Sequence, residues 1–230
     1  MKYFTVLSLC FLLLVSCNNS KTNKSVDKKD DASEVIENLS TPQKIANANG
    51  LDSWQDINEI HFTFNVDRTD FHMERSWVWK PKSDIIKFTD EKDTIQYSQT
   101  KLDSLITPID AKFVNDKYWL LAPLNLVWDK KNYTFSEEKN SIAPISKDRL
   151  NKLTIVYKDE GGYTPGDAYD FYFNEDYLIK EWVFRQKNNP VPSLTSSWEN
   201  HELYNGLNIA KDHVTDDESL KIYFTKIKVK

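Results

Sequence analysis

The side chain with the most definite chemistry is a thiol. Cys17 follows Leu14, Val15 and Ser16 at the end of an apolar run from Tyr3 to Val15, behind the cation of Lys2. A positive start, an apolar stretch too short to span a bilayer, and a small residue before the cysteine describe a processed signal, not a membrane helix. Bacterial lipoprotein signal peptidase cuts this pattern. Residues 1–16 are expected to leave and Cys17 to become a lipid-bearing N-terminus with acyl chains of the palmitate type. A chain processed this way is anchored to a membrane without crossing it. The expected address is the cell envelope and periplasm, at the outer membrane. An ordinary secretory signal cut nearby is the alternative.

Other reactive groups are less suggestive. The run Gly161-Gly162-Tyr163-Thr164-Pro165-Gly166-Asp167 holds three of the five glycines. It lacks the Lys-Ser/Thr ending and helix of a phosphate loop, and Asp159, Glu160 and Asp167 would repel an anion. Its carboxylates could hold calcium, but no EF-hand spacing is present; a rigid turn between strands is the simpler reading. The histidines at 61, 72, 201 and 213 show no zinc spacing, although His72 and Glu74 would share a strand face. No serine stands between glycines as a nucleophile elbow requires. Acid pairs such as Asp30 with Asp31 and Asp216 with Asp217 read as solvated surface. No catalytic residue, metal set or cofactor site is legible, and the chain is expected not to be an enzyme. Carboxylates joined only in space, as in a glycosidase, leave no trace in sequence.

The elements that would carry these residues follow from composition and periodicity. Net charge is -5, and loss of one Lys with residues 1–16 leaves 29 basic against 35 acidic side chains, or -6. The Lys-rich stretch Lys21 to Lys29 lies in a tether over 17–33, so nucleic acid is not an expected partner. That tether cannot bury enough to fold and would reach roughly 20–25 Å. With Cys10 removed and Cys17 lipidated, no internal disulfide remains, so residues 34–230 must fold as one domain around a hydrophobic core.

Val35, Ile36, Leu39, Ile45 and Ala46 suggest an amphipathic helix interrupted near Pro42 and ending at Gly50, followed by a helical turn around Trp54 and Ile57. Strands are expected at Ile60–Val66, Glu74–Trp79, Ile85–Thr89 and Thr94–Gln99, an antiparallel meander by spacing. A helix is expected within Asp110–Asp129, before Pro123. Strands resume at Leu153–Lys158, Ala168–Phe173, Leu178–Arg185, Thr195–Tyr204 and Ile222–Val229. The fold class is mainly β (α+β).

Seven Trp, eleven Tyr and twelve Phe supply the core. Trp77 and Trp79 share one strand face, Trp182 and Phe184 another, and Tyr169, Phe171 and Phe173 a third. A closed core would consume these faces, whereas a half-open sheet would leave an apolar hollow. Core packing is the commoner use of any single Trp.

Taken in order, Phe62-Thr63-Phe64-Asn65-Val66, Arg75-Ser76-Trp77-Val78-Trp79-Lys80-Pro81, Lys117-Tyr118-Trp119-Leu120-Leu121-Ala122-Pro123 and the Gly161–Asp167 loop resemble an uncharacterised family of bacterial envelope lipoproteins, over most of residues 34–230. More remotely the chain is similar to LolA/LolB-like lipoprotein carrier and receptor proteins. That resemblance implies a curved antiparallel sheet forming a half-open β-barrel, with a few helices on the concave side, that binds lipid without transforming it. The ligand would be an acyl chain, a lipid or a lipoprotein, and the lining Trp77, Trp79, Trp119, Leu121, Trp182 and Phe184. The chain is expected to be a monomer. The alternative is a structural lipoprotein that contacts a protein partner through an outer face or the Gly161, Gly162 and Gly166 loop.

Overall fold

Aromatic and β-branched residues alternating with polar ones build most of the chain into strands. The structure, a computed structural model, describes residues 39–160 and 163–230. The expected signal peptide, Cys17, the tether, Val35, Ile36, Gly161 and Gly162 lie outside them. The described residues form a mainly β fold of two antiparallel sheets, curved but not closed, with few helices.

Helix α1 (Thr41–Ala48) buries Ile45 and Ala46 completely. Pro42 stands in its first turn, where a missing N–H costs nothing, so the described helix starts there. Asn49 closes the helix by donating Nδ2 to the Ile45 carbonyl at 2.8 Å. Gly50 follows at φ +95°. The turn around Trp54 is a short 3-10 helix, Leu51–Asp56.

The meander follows as β1 (Ile60–Arg68), β2 (Phe71–Lys80), β3 (Ile85–Thr89) and β4 (Thr94–Ser98). Ile60 faces Trp79 and Phe62 faces Trp77 across the first pair, which sets the register by its inward face. Helix α2 (Thr107–Trp128) leads to β5 (Tyr133–Ile142), β6 (Arg149–Tyr157), β7 (Ala168–Phe173), β8 (Ile179–Arg185) and β9 (Leu194–Ser197). Three further strands, β10 (Glu199–Tyr204), β11 (Leu207–Val214) and β12 (Leu220–Val229), return to the first sheet. The seven-stranded sheet has the order β10-β11-β12-β1-β2-β3-β4 and the five-stranded sheet β5-β6-β7-β8-β9.

Three expectations are corrected. The helix does not stop before Pro123 but continues to Trp128, bent where Leu121 leaves helical geometry (φ −130°, ψ 26°). Proline at position 123 removes a backbone donor and crowds the preceding turn, and a kink there is its usual result.

The single strand expected over Thr195–Tyr204 is two strands in two sheets. The break is Trp198: its N–H bonds the Lys180 carbonyl of the second sheet at 2.7 Å, while its neighbour Glu199 already pairs with Asp212 of the first.

Two strands went unread. Strand β5 is exposed from Thr134 through Asn140, so neither face alternates. The hairpin β10–β11 carries an available signal, Asn205-Gly206, both at positive φ as a type I′ turn demands. That turn packs closely on α1's end: a Cβ at Gly50 would stand 2.0 Å from the Gly206 carbonyl oxygen.

Candidate functional site

The site is organised by α2, which lies between the two sheets and buries side chains on several sides. Near its start, Asp110 accepts the Tyr97 hydroxyl and the Gln99 amide on Oδ1, both at 3.0 Å, and the Tyr163 hydroxyl on Oδ2 at 2.9 Å. The loop after β6 is thereby tied to the helix. Gly166 in that loop takes φ +75° and returns its N–H to the Lys158 carbonyl at 3.0 Å, a turn between strands.

Two turns on, Asp116 is fully buried and faces the first sheet. Its carboxylate accepts Arg75 through Nε (2.9 Å) and Nη2 (2.7 Å), the Trp77 indole (2.8 Å) and the Asn115 amide (3.0 Å). Burial pushes its pKa up, against these four donors, which favour the charged form.

Successive residues then point in different directions, at about 100° per residue. Lys117 reaches across two indoles, with Nζ 5.6 Å from the ring centroids of both Trp79 and Trp128. Burial lowers its pKa, opposed by the charges of Asp129 and Asp110. Tyr118 packs tilted on Tyr169 at 5.1 Å and Trp119 packs edge-on against Trp182 at 4.4 Å, both rings of the second sheet. The kink then redirects the helix so that Asn125 and Asp129 come back to the same space.

That space is a cavity of about 600 Å³, inside the roughly 300–1,000 Å³ range of small-molecule sites. Its apolar wall is Val114, Trp119, Tyr169, Trp182, Phe184 and Leu194; its polar side is Lys117, Tyr118, Asn125, Asp129, Asn132 and Tyr157. Burial raises the pKa of Asp129 and of Tyr118. A second hollow of about 470 Å³ adjoins it, with Phe64, Val66, Met73, Leu220 and Ile222 of the first sheet facing Phe184 and Leu194. The two share Asn115, Trp119, Phe184 and Leu194 as walls.

Behind the apolar wall, polar atoms are left without partners. The indole nitrogens of Trp182 and Trp198 and both ring nitrogens of His213 are buried with no hydrogen bond. His213 is ringed by Trp198 (4.5 Å), Trp119 (5.2 Å) and Phe224 (5.9 Å). Burial pushes its pKa down to about 3.

Among the residues expected to line a ligand, Trp119, Trp182 and Phe184 stand together in the cavity wall. Trp77 and Trp79 lie outside it, packed on Phe113 at 5.3 and 5.6 Å beneath the other side of α2. Leu121 is buried at the kink and also lies outside the lining. Lys117, Tyr118, Asp129 and Tyr157 were not anticipated. Pro123 inside an otherwise helical pattern was the available signal, because a kink brings both halves of a helix to one space. His72 pairs with Asp67 at 2.6 Å. No cluster of three or more metal-binding side chains occurs among the described residues.

The fold is thus that of a half-open β-barrel with a kinked helix inside. No family model matches the chain, and no curated protein matches it. Several solved structures are similar at low identity. A DUF1329 family protein from Desulfovibrio piger matches at a TM-score of 0.45 and 10% identity, over 83% of this chain and 94% of that one. An outer membrane lipoprotein-sorting protein domain from Vibrio parahaemolyticus, described as putative, matches at 0.46 and 11%, over 80% and 93%. MucB matches at 0.31 and 11%, over 86% and 58%.

Proposed function

We propose that this chain is a lipid-anchored protein of the bacterial envelope that binds a hydrophobic ligand, an acyl chain or lipid, without transforming it. The observation that carries the reading is the cavity walled by Trp119, Tyr169, Trp182, Phe184 and Leu194 and continued by a second apolar hollow. Rings and branched chains facing an unfilled space take up hydrocarbon because water gains little there. Anchoring through Cys17 and an outer-membrane address rest on the sequence pattern Leu14–Cys17.

Native mass spectrometry of the Cys17→Ser chain, which cannot be lipidated, tests the binding. Co-purified lipid or fatty acid released on denaturation is the expected result. A protein that stays empty after incubation with membrane lipids would overturn the reading in favour of a lipoprotein that contacts a protein partner. Fractionation of the same variant tests the anchor: it should leave the membrane pellet.

A further inference from the structure

Lys117 and Asp129 both line the cavity, and the two are not equivalent. Asp129 Oδ2 accepts the Tyr157 hydroxyl at 3.2 Å, and the Tyr118 hydroxyl lies 3.4 Å from that of Tyr157. With one proton, Tyr157 donates to Asp129 and accepts from Tyr118, so the carboxylate ends a chain of hydroxyls. Lys117 has no comparable partner. Two indole faces hold its ammonium, and among the described residues no carboxylate comes within 4.0 Å of it. Aromatic faces attract a cation through their quadrupole but do not neutralise it. The exposed rim residues Lys158 and Glu160 have opposite signs and cancel at longer range.

We infer that the ligand is an amphiphile with an anionic head, a carboxylate or phosphate, and that Lys117 recognises the head. The hydrocarbon runs along the wall of Trp119 and Phe184 and passes into the second hollow. There Phe64, Val66, Met73 and Ile222 continue an apolar path. Of the two arginines that line that hollow, Arg75 is already held by Asp116, and Arg68 is exposed to solvent, where its charge is screened. This assignment rests on the lipid-binding reading and names the head-group chemistry within it.

The test uses the full Cys17→Ser chain and ligands with one hydrocarbon chain length and different heads: hexadecanoate, hexadecyl phosphate and hexadecan-1-ol, each titrated against intrinsic tryptophan fluorescence. The two anions should bind at least tenfold tighter than the alcohol. Lys117→Gln should bring them down to the alcohol's affinity, and Lys117→Arg should restore the preference. A preference for phosphate over carboxylate would point to phospholipid as the source, the reverse to free fatty acid, and either supports the anionic head.

Equal binding of acid and alcohol by the unaltered chain would overturn the head-group assignment while leaving lipid binding intact. That comparison needs no variant, so it holds even where Lys117→Gln fails to fold. An anion preference that survives in a folded Lys117→Gln chain would equally overturn it. Failure of all three ligands to bind would instead sink the lipid-binding reading itself.

Discussion

The two sides of α2 carry similar residues and end differently. Towards the first sheet, Trp77, Trp79, Phe88 and Phe113 interlock, and Asp116 draws Arg75 and the Trp77 indole into one bonded unit. Towards the second sheet, Tyr118 and Trp119 meet Tyr169 and Trp182, yet a cavity remains. Aromatic content alone does not decide whether a face becomes core or pocket. What differs is the polar anchor: around Trp77 the buried Asp116 carboxylate takes both Arg75 and the indole, whereas beside the cavity Asp129 takes only the Tyr157 hydroxyl at 3.2 Å.

The largest effect should come from breaking the clamped side. Asp116→Ala strands the largely buried Arg75 and the Trp77 indole. Loss of one partner from a buried ion pair costs about 3–5 kcal/mol, to be read from urea unfolding. If the loss is under about 1 kcal/mol, the clamp is not what distinguishes the two sides.

The second prediction probes the buried ring beside Trp119 and Trp198 by pH. His213 is neutral when folded and titrates at its ordinary 6.5 when unfolded, with its folded pKa lowered to about 3. Burial lowers it; the nearby Ser197 backbone and then the Asp212 charge oppose that, and His201 adds to it. Below pH 6.5 the unfolded chain binds the extra proton. The stabilisation is therefore complete above that pH and drains away as pH falls toward 3. Between pH 7 and 4.5 this amounts to about 2 to 3 kcal/mol. His213→Phe should remove that part of the acid sensitivity, measured as the difference in unfolding free energy between the two pH values.

The third sharpens the contrast by converting pocket to core. Leu194→Trp places an indole where the two hollows meet. It should abolish lipid uptake while shifting stability by no more than about 1–3 kcal/mol, the range for overpacking. Retained uptake would locate the ligand elsewhere.

The smallest concerns the tie between loop and helix. Tyr163→Phe removes one hydrogen bond to Asp110 from a half-exposed ring and should cost about 0.5–1.5 kcal/mol. Thermal unfolding should show that loss with lipid affinity nearly unchanged.

Much of the framework was legible because it is local. Alternating inward residues such as Phe62, Phe64 and Val66, and the antiparallel meander they open, follow from period and turn spacing. Strand β5 was not, because its side chains face water on both sides and leave no period. The split at Trp198 was not, because a β-strand pattern says nothing of which sheet the strand joins. For the cavity, sequence suggested aromatic strand faces but could not say which would be covered. Trp77 and Trp182 look alike as strand residues; Asp116, far away in the chain, closes over the first and not the second.

Trp198 also has a mechanical consequence. The chain steps from the second sheet to the first within that one residue, so the margin between β9 and β10 has almost no slack. At the opposite margin, β4 and β5 have no strand partner across the gap, and the chain between them includes the whole of α2. If the walls spread to admit a bulkier guest, they must swing about the Trp198 line like a book about its spine. The displacement would be greatest at β4 and β5, and the bend at Leu121 would flex with it.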